Sequence, residues 1–392
     1  MSENPIQIYS DYDFYVPAFE VRLKGRSLDR DVLRDVLSVS YTDSLGRMDS
    51  CELTLNNWDA DKRDFKYTDS DLFDPGAQIE LYMGYYDKGG LTLMLRGTIV
   101  SLAPNFPAGG QPTLQVRALN QLYRLHFKQD TQVYENKTDT QIAQAILTKL
   151  VQEQAGLNVQ LETRSANQEI ETPQEYVLIN NQYPIIYLME RARHNGYEIY
   201  IEDVEENGRI VSKLHFHPSE RGVPAVYKLV WGQSLITFKP TLRTANQVAK
   251  VTVRGWDARR RREIVGEATR DDLPFNGLPN QEALSAVDSA LAGSEIVISD
   301  EPVTSKAEAD QKALDHLTNR AKEMVTGSGS VVGLPEIRAG RPVYICKLGK
   351  RFSGRYVITS STHSIADSGY TTSFEARMEE LKQGGSRNPC DP

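Results

Sequence analysis

WGQSLITFKPTLRTANQVAKVTVRGWDARRRREIVGEA, residues Trp231 to Ala268, places this 392-residue chain among the β proteins. Between Ala249 and Gly255 the residues alternate: Ala249, Val251, Val253 and Gly255 on one side, Lys250, Thr252 and Arg254 on the other. A half-buried strand requires that period of two. Glu263 to Ala268 reads as the returning partner strand. Asp257 to Arg262 then becomes an exposed hairpin tip, where Arg259, Arg260, Arg261 and Arg262 stay hydrated without a burial cost.

Working outward, residues 17–127 contain six further strand candidates: AFEVRLKG, VLSVSYTDS, SCELTLNN, AQIELYMGYY, LTLMLRGTIVSLAP and TLQVRALNQ. Asp74-Pro75-Gly76 and Lys88-Gly89-Gly90 punctuate them as turns. Many short strands must close or pack to protect their edges, so an antiparallel barrel or sandwich is the economical arrangement. Thr138 to Gly156 predicts a helix, with Thr138 and Gln141 at capping-box spacing, Ile142, Ile146 and Leu150 on one face and Gly156 as its stop. Pro184 to Gly196 predicts another, and the following segment reads as a hairpin turning at Asn207-Gly208. A second barrel begins near Val223 and is interrupted by helices over 281–293 and 305–327, the latter carrying Leu314, Leu317, Ala321 and Met324 inward. Strands resume from Arg341 to Met378, with a hairpin about Asp367-Ser368-Gly369. The expected division is 1–130, a first barrel; 131–222, an α+β middle domain; 223–380, a second, interrupted barrel with a helical insertion around 281–327; and 381–392, a flexible tail. The fold class is therefore α+β, mainly β.

Two segments carry a resemblance. QVAKVTVRGWD with its I-x-G-x-A return, and downstream GLPEIRAG, FSGRYVITSSTHSI and GYTTSFEARM, resemble the phage late control protein D family of contractile-tail baseplate hubs. They are similar also to the amino-terminal half of type VI secretion spike proteins. The match covers roughly the last 150 residues well and the first 220 by organisation. It implies two tube-type antiparallel β-barrels per chain and a homotrimer forming a pseudo-sixfold ring. Such a ring joins a sixfold inner tube to a separate central spike, beside other baseplate proteins. The resemblance implies a structural, non-enzymatic role. No needle repeat follows the hub text, so the spike is expected to be another chain.

Composition is compatible with that reading. Hydrophobic residues make up 40% and charged ones 25%, as in a soluble globular protein. A formal charge of -8 argues against stable nucleic-acid binding. No signal peptide or spanning helix is legible, so synthesis in the producing cell's cytoplasm, followed by residence in a phage tail or injection particle, is expected. Cys51, Cys346 and Cys390 are few, odd in number and far apart, which predicts neither a disulfide framework nor a zinc site. Cys51 and Cys346 are expected as small buried hydrophobes, Cys390 as part of the tail.

Each chemical alternative meets a bland one. His215 and His217 share a strand face at a spacing that suits a metal, but no third ligand is evident, and no metal or cofactor site is expected. Ser361 and His363 share a face without an oxyanion loop or nucleophile elbow, so a structural histidine is expected. Glu202, Asp203, Glu205 and Glu206 carry enough acid for a glycosidase pair, yet a hairpin position favours solvation. Gly327 to Gly333 lacks the ending of a phosphate loop and reads as a loop at the barrel edge. No catalytic residue is assigned. The competing class is a tail-associated peptidoglycan hydrolase or sugar-binding component. Arg259 to Arg262 remain the candidate assembly contacts, fitted to an acidic partner surface.

Overall fold

The computed structural model describes residues 6–7, 16–86, 90–164, 167, 171–219, 223–257, 260–381 and 390. Four apolar cores organise them.

The first barrel is built from β1 (Pro17–Leu23), β2 (Val36–Ser44), β3 (Ser50–Asn56), β4 (Gln78–Tyr85), β5 (Leu91–Asn105) and β6 (Thr113–Asn120). All six expected strands form, in the order β2-β3-β6-β5-β4-β1. Alternation puts Val39 and Tyr41, Cys51 and Leu53, and Ile79 and Leu81 inside, all at most 1% exposed. Gly76, in the expected Asp-Pro-Gly turn, has φ +95°, a conformation that glycine adopts without Cβ strain. Of the second expected turn, only Gly90 is described.

The middle domain opens with the ribbon β7 (Asp130–Lys137) and continues through α1 (Asp139–Glu153), β8 (Val159–Glu162), β9 (Gln174–Gln182), α2 (Pro184–His194), β10 (Tyr197–Glu206) and β11 (Arg209–Pro218). The Thr138–Gln141 capping box forms, and Gly156 and Gly196 follow their helices at positive φ. Asn207 and Gly208 both have positive φ, as a two-residue type I′ hairpin turn demands.

The second barrel follows the order β12-β18-β19-β20-β17-β13, from β12 (Tyr227–Val230), β13 (Leu235–Leu242), β17 (Val325–Val332), β18 (Pro342–Cys346), β19 (Gly354–Ala366) and β20 (Gly369–Met378). Here three expectations are corrected. The QVAKVTVRGWD hairpin, β14 (Lys250–Asp257) and β15 (Arg262–Thr269), is not part of this barrel. It forms its own sheet with β16 (Glu295–Ile298), covered by α4 (Lys306–Lys322) around a separate core. Gly266 explains the close docking: a Cβ there would lie 2.2 Å from the Ala309 carbonyl carbon. The remaining helix, α3 (Gln281–Leu291), packs onto the second barrel's core. Secondly, Gly327 to Gly333 is no loop. Gly327 to Val332 lie in β17, where glycines admit the Phe238 ring at positions whose Cβ would come within 2.8 Å of it. Finally, Cys346 is bonded to Cys390, with Cα atoms 5.0 Å apart. The tail is thus tethered at that residue, while Cys51 is the free, buried thiol. Spacing along the chain concealed the pair because the approach of Cys390 to β18 is a tertiary property. The rest of the expected tail, 382–389 and 391–392, lies outside the described residues.

One hairpin joins the barrels. β19 pairs with β18 at its start and with β2 from Ser360 to Ile365, while β20 accompanies it from Tyr356 to Ala366. Ile365 and Tyr370, at the hairpin's far end, therefore lie in the first barrel's core.

Candidate functional site: a buried charge seam

Polar side chains converge where the two barrels and the middle domain meet. Asp43, on β2 and 4% exposed, accepts from Arg338 Nε at 2.7 Å, Ala339 N at 3.1 Å, and Ser361 N and Oγ at 3.1 and 2.5 Å. Arg338 also donates to Tyr41 Oη and the Met94 carbonyl and lies over the Tyr41 ring. One guanidinium thus locks the second barrel onto the first. Such a pair tolerates burial because nearly every donor and acceptor has a partner.

A second lock spans three elements. Glu198 on β10 accepts from Lys322 Nζ at the end of α4 and from Arg377 Nη2 on β20, both at 2.6 Å. Arg377 continues to Glu379 at 2.6 Å, which accepts from Ser219 at 2.7 Å. Burial alone would raise the Glu198 pKa, but the Arg377 and Lys322 cations outweigh it and hold the carboxyl at about 2.

The acidic run in β10 is split by this arrangement. Asp203 is buried and accepts from Ser212 Oγ at 2.5 Å and from the Arg96 amide of β5 at 2.6 Å. Glu202 meets Arg341 at 2.5 Å. Only Glu205 and Glu206 match the expectation of a solvated hairpin end. Period-two placement cannot reveal a partner from another domain, so the sequence concealed the first two.

His215 and His217 do share a face, with Nδ1 and Nε2 3.1 Å apart and both rings buried. His215 stacks on Tyr200 at 4.3 Å and lies 3.3 Å from Glu202. Among the described residues, no cluster of three or more His, Cys, Asp or Glu side chains is arranged to hold a metal.

Ser361 and His363 touch, at 3.1 Å, beside Asp43. Their exposures of 1% and 0% deny access to substrate. The bonding also runs the wrong way for a nucleophile: Ser361 donates its proton to Asp43, and His363 Nε2 faces the Ile337 carbonyl at 3.0 Å, which only accepts. The imidazole is consequently a donor at that nitrogen, and Tyr370 and Thr372 lie at Nδ1. Burial lowers the His363 pKa to about 4.

The arginine hairpin lies apart from the seam. Arg260, Arg261 and Arg262 are exposed, with Arg260 N capped by Asp257 and its side chain at the 4.0 Å limit of an ion pair with that residue. Arg261 has φ +49° at the turn. Arg259 lies outside the described residues. Trp256, 63% exposed, stands at the same end of β14.

The architecture matches known structures along nearly its whole length. A 43 kDa tail protein of prophage MuSo2 from Shewanella oneidensis superposes with a TM-score of 0.65 at 14% identity, covering 93% of this chain and 98% of that one. A tail protein from Neisseria meningitidis MC58 gives 0.60 at 12% identity, with 93% and 96% covered. A chain of the Francisella PdpA-VgrG complex gives 0.54 at 9% identity, with 97% of this chain and 61% of that chain covered. The hub resemblance read from the sequence thus holds at the level of fold. No curated protein matches the sequence. A family model does, over residues 15–367, and by that match the chain belongs to the family described as Alg8 N-terminal domain.

Proposed function

We propose that this chain is a non-enzymatic baseplate hub of a phage tail or phage-like contractile injection system. Three copies form a pseudo-sixfold ring joining an inner tube to a separate spike. The observation that carries the proposal is the β19–β20 hairpin, shared by both barrels and flanked by the buried charge seam. It sets two barrels at one angle within a chain, so threefold symmetry generates six barrel positions. The tail-protein folds named above support the same setting. A chain of this fold occurs in the Francisella PdpA-VgrG complex, which supports a partner-bearing role.

The inaccessible Ser361–His363 contact supports a mechanical role over hydrolysis. Among the described residues no helix is long and apolar enough to cross a membrane. The Cys346–Cys390 disulfide suits a particle that works outside a reducing cytoplasm. The arginine hairpin, with Trp256 beside it, is the contact we assign to an acidic surface of a neighbouring subunit or baseplate protein.

Co-expression with candidate tube and spike proteins tests the reading. Recovery of all three in one complex, with no clearing of peptidoglycan in a zymogram, is expected. A cleared zymogram from the purified chain would replace the hub with the hydrolase.

A further inference from the structure

One row of side chains crosses six consecutive strands and both barrels. Ser50 on β3 stands opposite Thr42 on β2, then Thr362 on β19, Ser373 on β20, Ser330 on β17 and Thr237 on β13. Every member is a hydroxyl. Two cross-strand pairs along it are bonded, Thr42 with Thr362 at 3.1 Å and Thr237 with Ser330 at 2.8 Å. The row on one side brings Ser40, Ser364 and Thr371 into line and ends at Val332, and that on the other holds Ser44, Ser360 and Ser328. The charged residues on these flanking rows, Glu52, Glu375 and Lys239, are of both signs.

This face does not have the chemistry of a permanent subunit contact, whose centre is apolar and aromatic and depleted in serine. Nor does it concentrate one sign of charge, as a surface built to hold a charged polymer does. It is also concave: a basin of 760 Å³ lies over it, lined from both barrels by residues including Thr42, Arg117, Ser328, Thr362 and Ser373. In the ring of the hub reading, a concave side placed toward the axis would form a continuous wall across both barrels.

We infer that the hydroxyl face is the wall of the ring's central channel. A central row of short, neutral, hydrated side chains, flanked by charges of both signs, gives a passing polymer no single sign of charge to settle on. The wall admits cargo and does not retain it. This inference rests on the hub reading.

Its test places a cysteine-reactive gold cluster on Ser373→Cys, with Thr362→Cys as the neighbouring variant in the row should the first fail to fold. The unmutated chain, with Cys51 buried and the other two cysteines bonded, is the blank. Oligomer mass is measured first, then labelled trimers, alone or held on their spike, are imaged down the symmetry axis. Gold inside the central hole is expected. Gold on the outer rim would overturn the inference and leave the hub intact. So would a cysteine labelled in the dissociated chain and protected in the trimer, since it would mark a subunit contact. A chain that remains monomeric even with its spike removes the hub reading itself, and mass alone reveals that outcome.

Discussion

Arg338 and Arg260 carry the same cation into opposite surroundings. Arg338 is enclosed by Asp43, Tyr41 and a carbonyl; burial alone would lower its pKa, but Tyr41 and Asp43 outweigh that and raise it. The Arg260 side chain is 70% exposed, with Asp257 4.0 Å away. The first fixes the angle between barrels within one chain. The second is free to meet another chain. A buried charge pair is costly to break because removal of one partner strands the other in low dielectric, whereas an exposed charge can be reversed with little effect on folding.

The largest effect expected is that of Arg338→Ala. It leaves Asp43 buried without its cation and should cost about 3–5 kcal/mol in urea denaturation. A loss below about 1 kcal/mol would show that the seam does not hold the barrels. Acid should attack the two locks of the seam in two stages. His363 is neutral when folded because burial lowers its pKa from 6.5 to about 4. The unfolded chain therefore takes up the proton first, and stability falls as pH drops from 6.5 toward 4, by up to about 3 kcal/mol. His363→Gln should flatten that window in a series of melts. Glu198 follows below pH 4.5, since its depressed pKa contributes stability that is lost as pH falls toward 2. The Glu198→Gln variant should lose that lower slope and keep the upper one.

Reversal of Arg260, Arg261 and Arg262 to glutamate should change folding stability least, by less than about 0.5 kcal/mol. Recovery of the complex with its partners should nevertheless drop at least about tenfold, or 1.4 kcal/mol of binding. Unchanged recovery would remove the hairpin from the assembly. A large loss of stability would erase the contrast with the seam.

The two regions also differ in how far they could be read from sequence. Alternation along β2, β3 and β14 and the caps at Thr138 and Asn207-Gly208 are local signals, and they located strands and helices well. Ownership of a strand is not local. The β14–β15 hairpin carried the best strand pattern in the chain, yet its core is made with α4, which begins 37 residues after the hairpin ends. Gly327 and Gly329 looked like loop because their reason to be glycine is Phe238, far away on β13. The seam was hardest to see. Asp43, Glu198 and Arg338 are ordinary charged residues in sequence, and only their meeting makes them a site. The arginine hairpin was legible because its signal, four adjacent cations, is contiguous.

Electron microscopy of the purified chain, viewed along its oligomer axis, tests the central claim most directly. The account predicts a particle three times the mass of the chain, with six barrel densities around an open centre. A two-fold particle, or a monomer that stays monomeric in the presence of tube and spike, would contradict it.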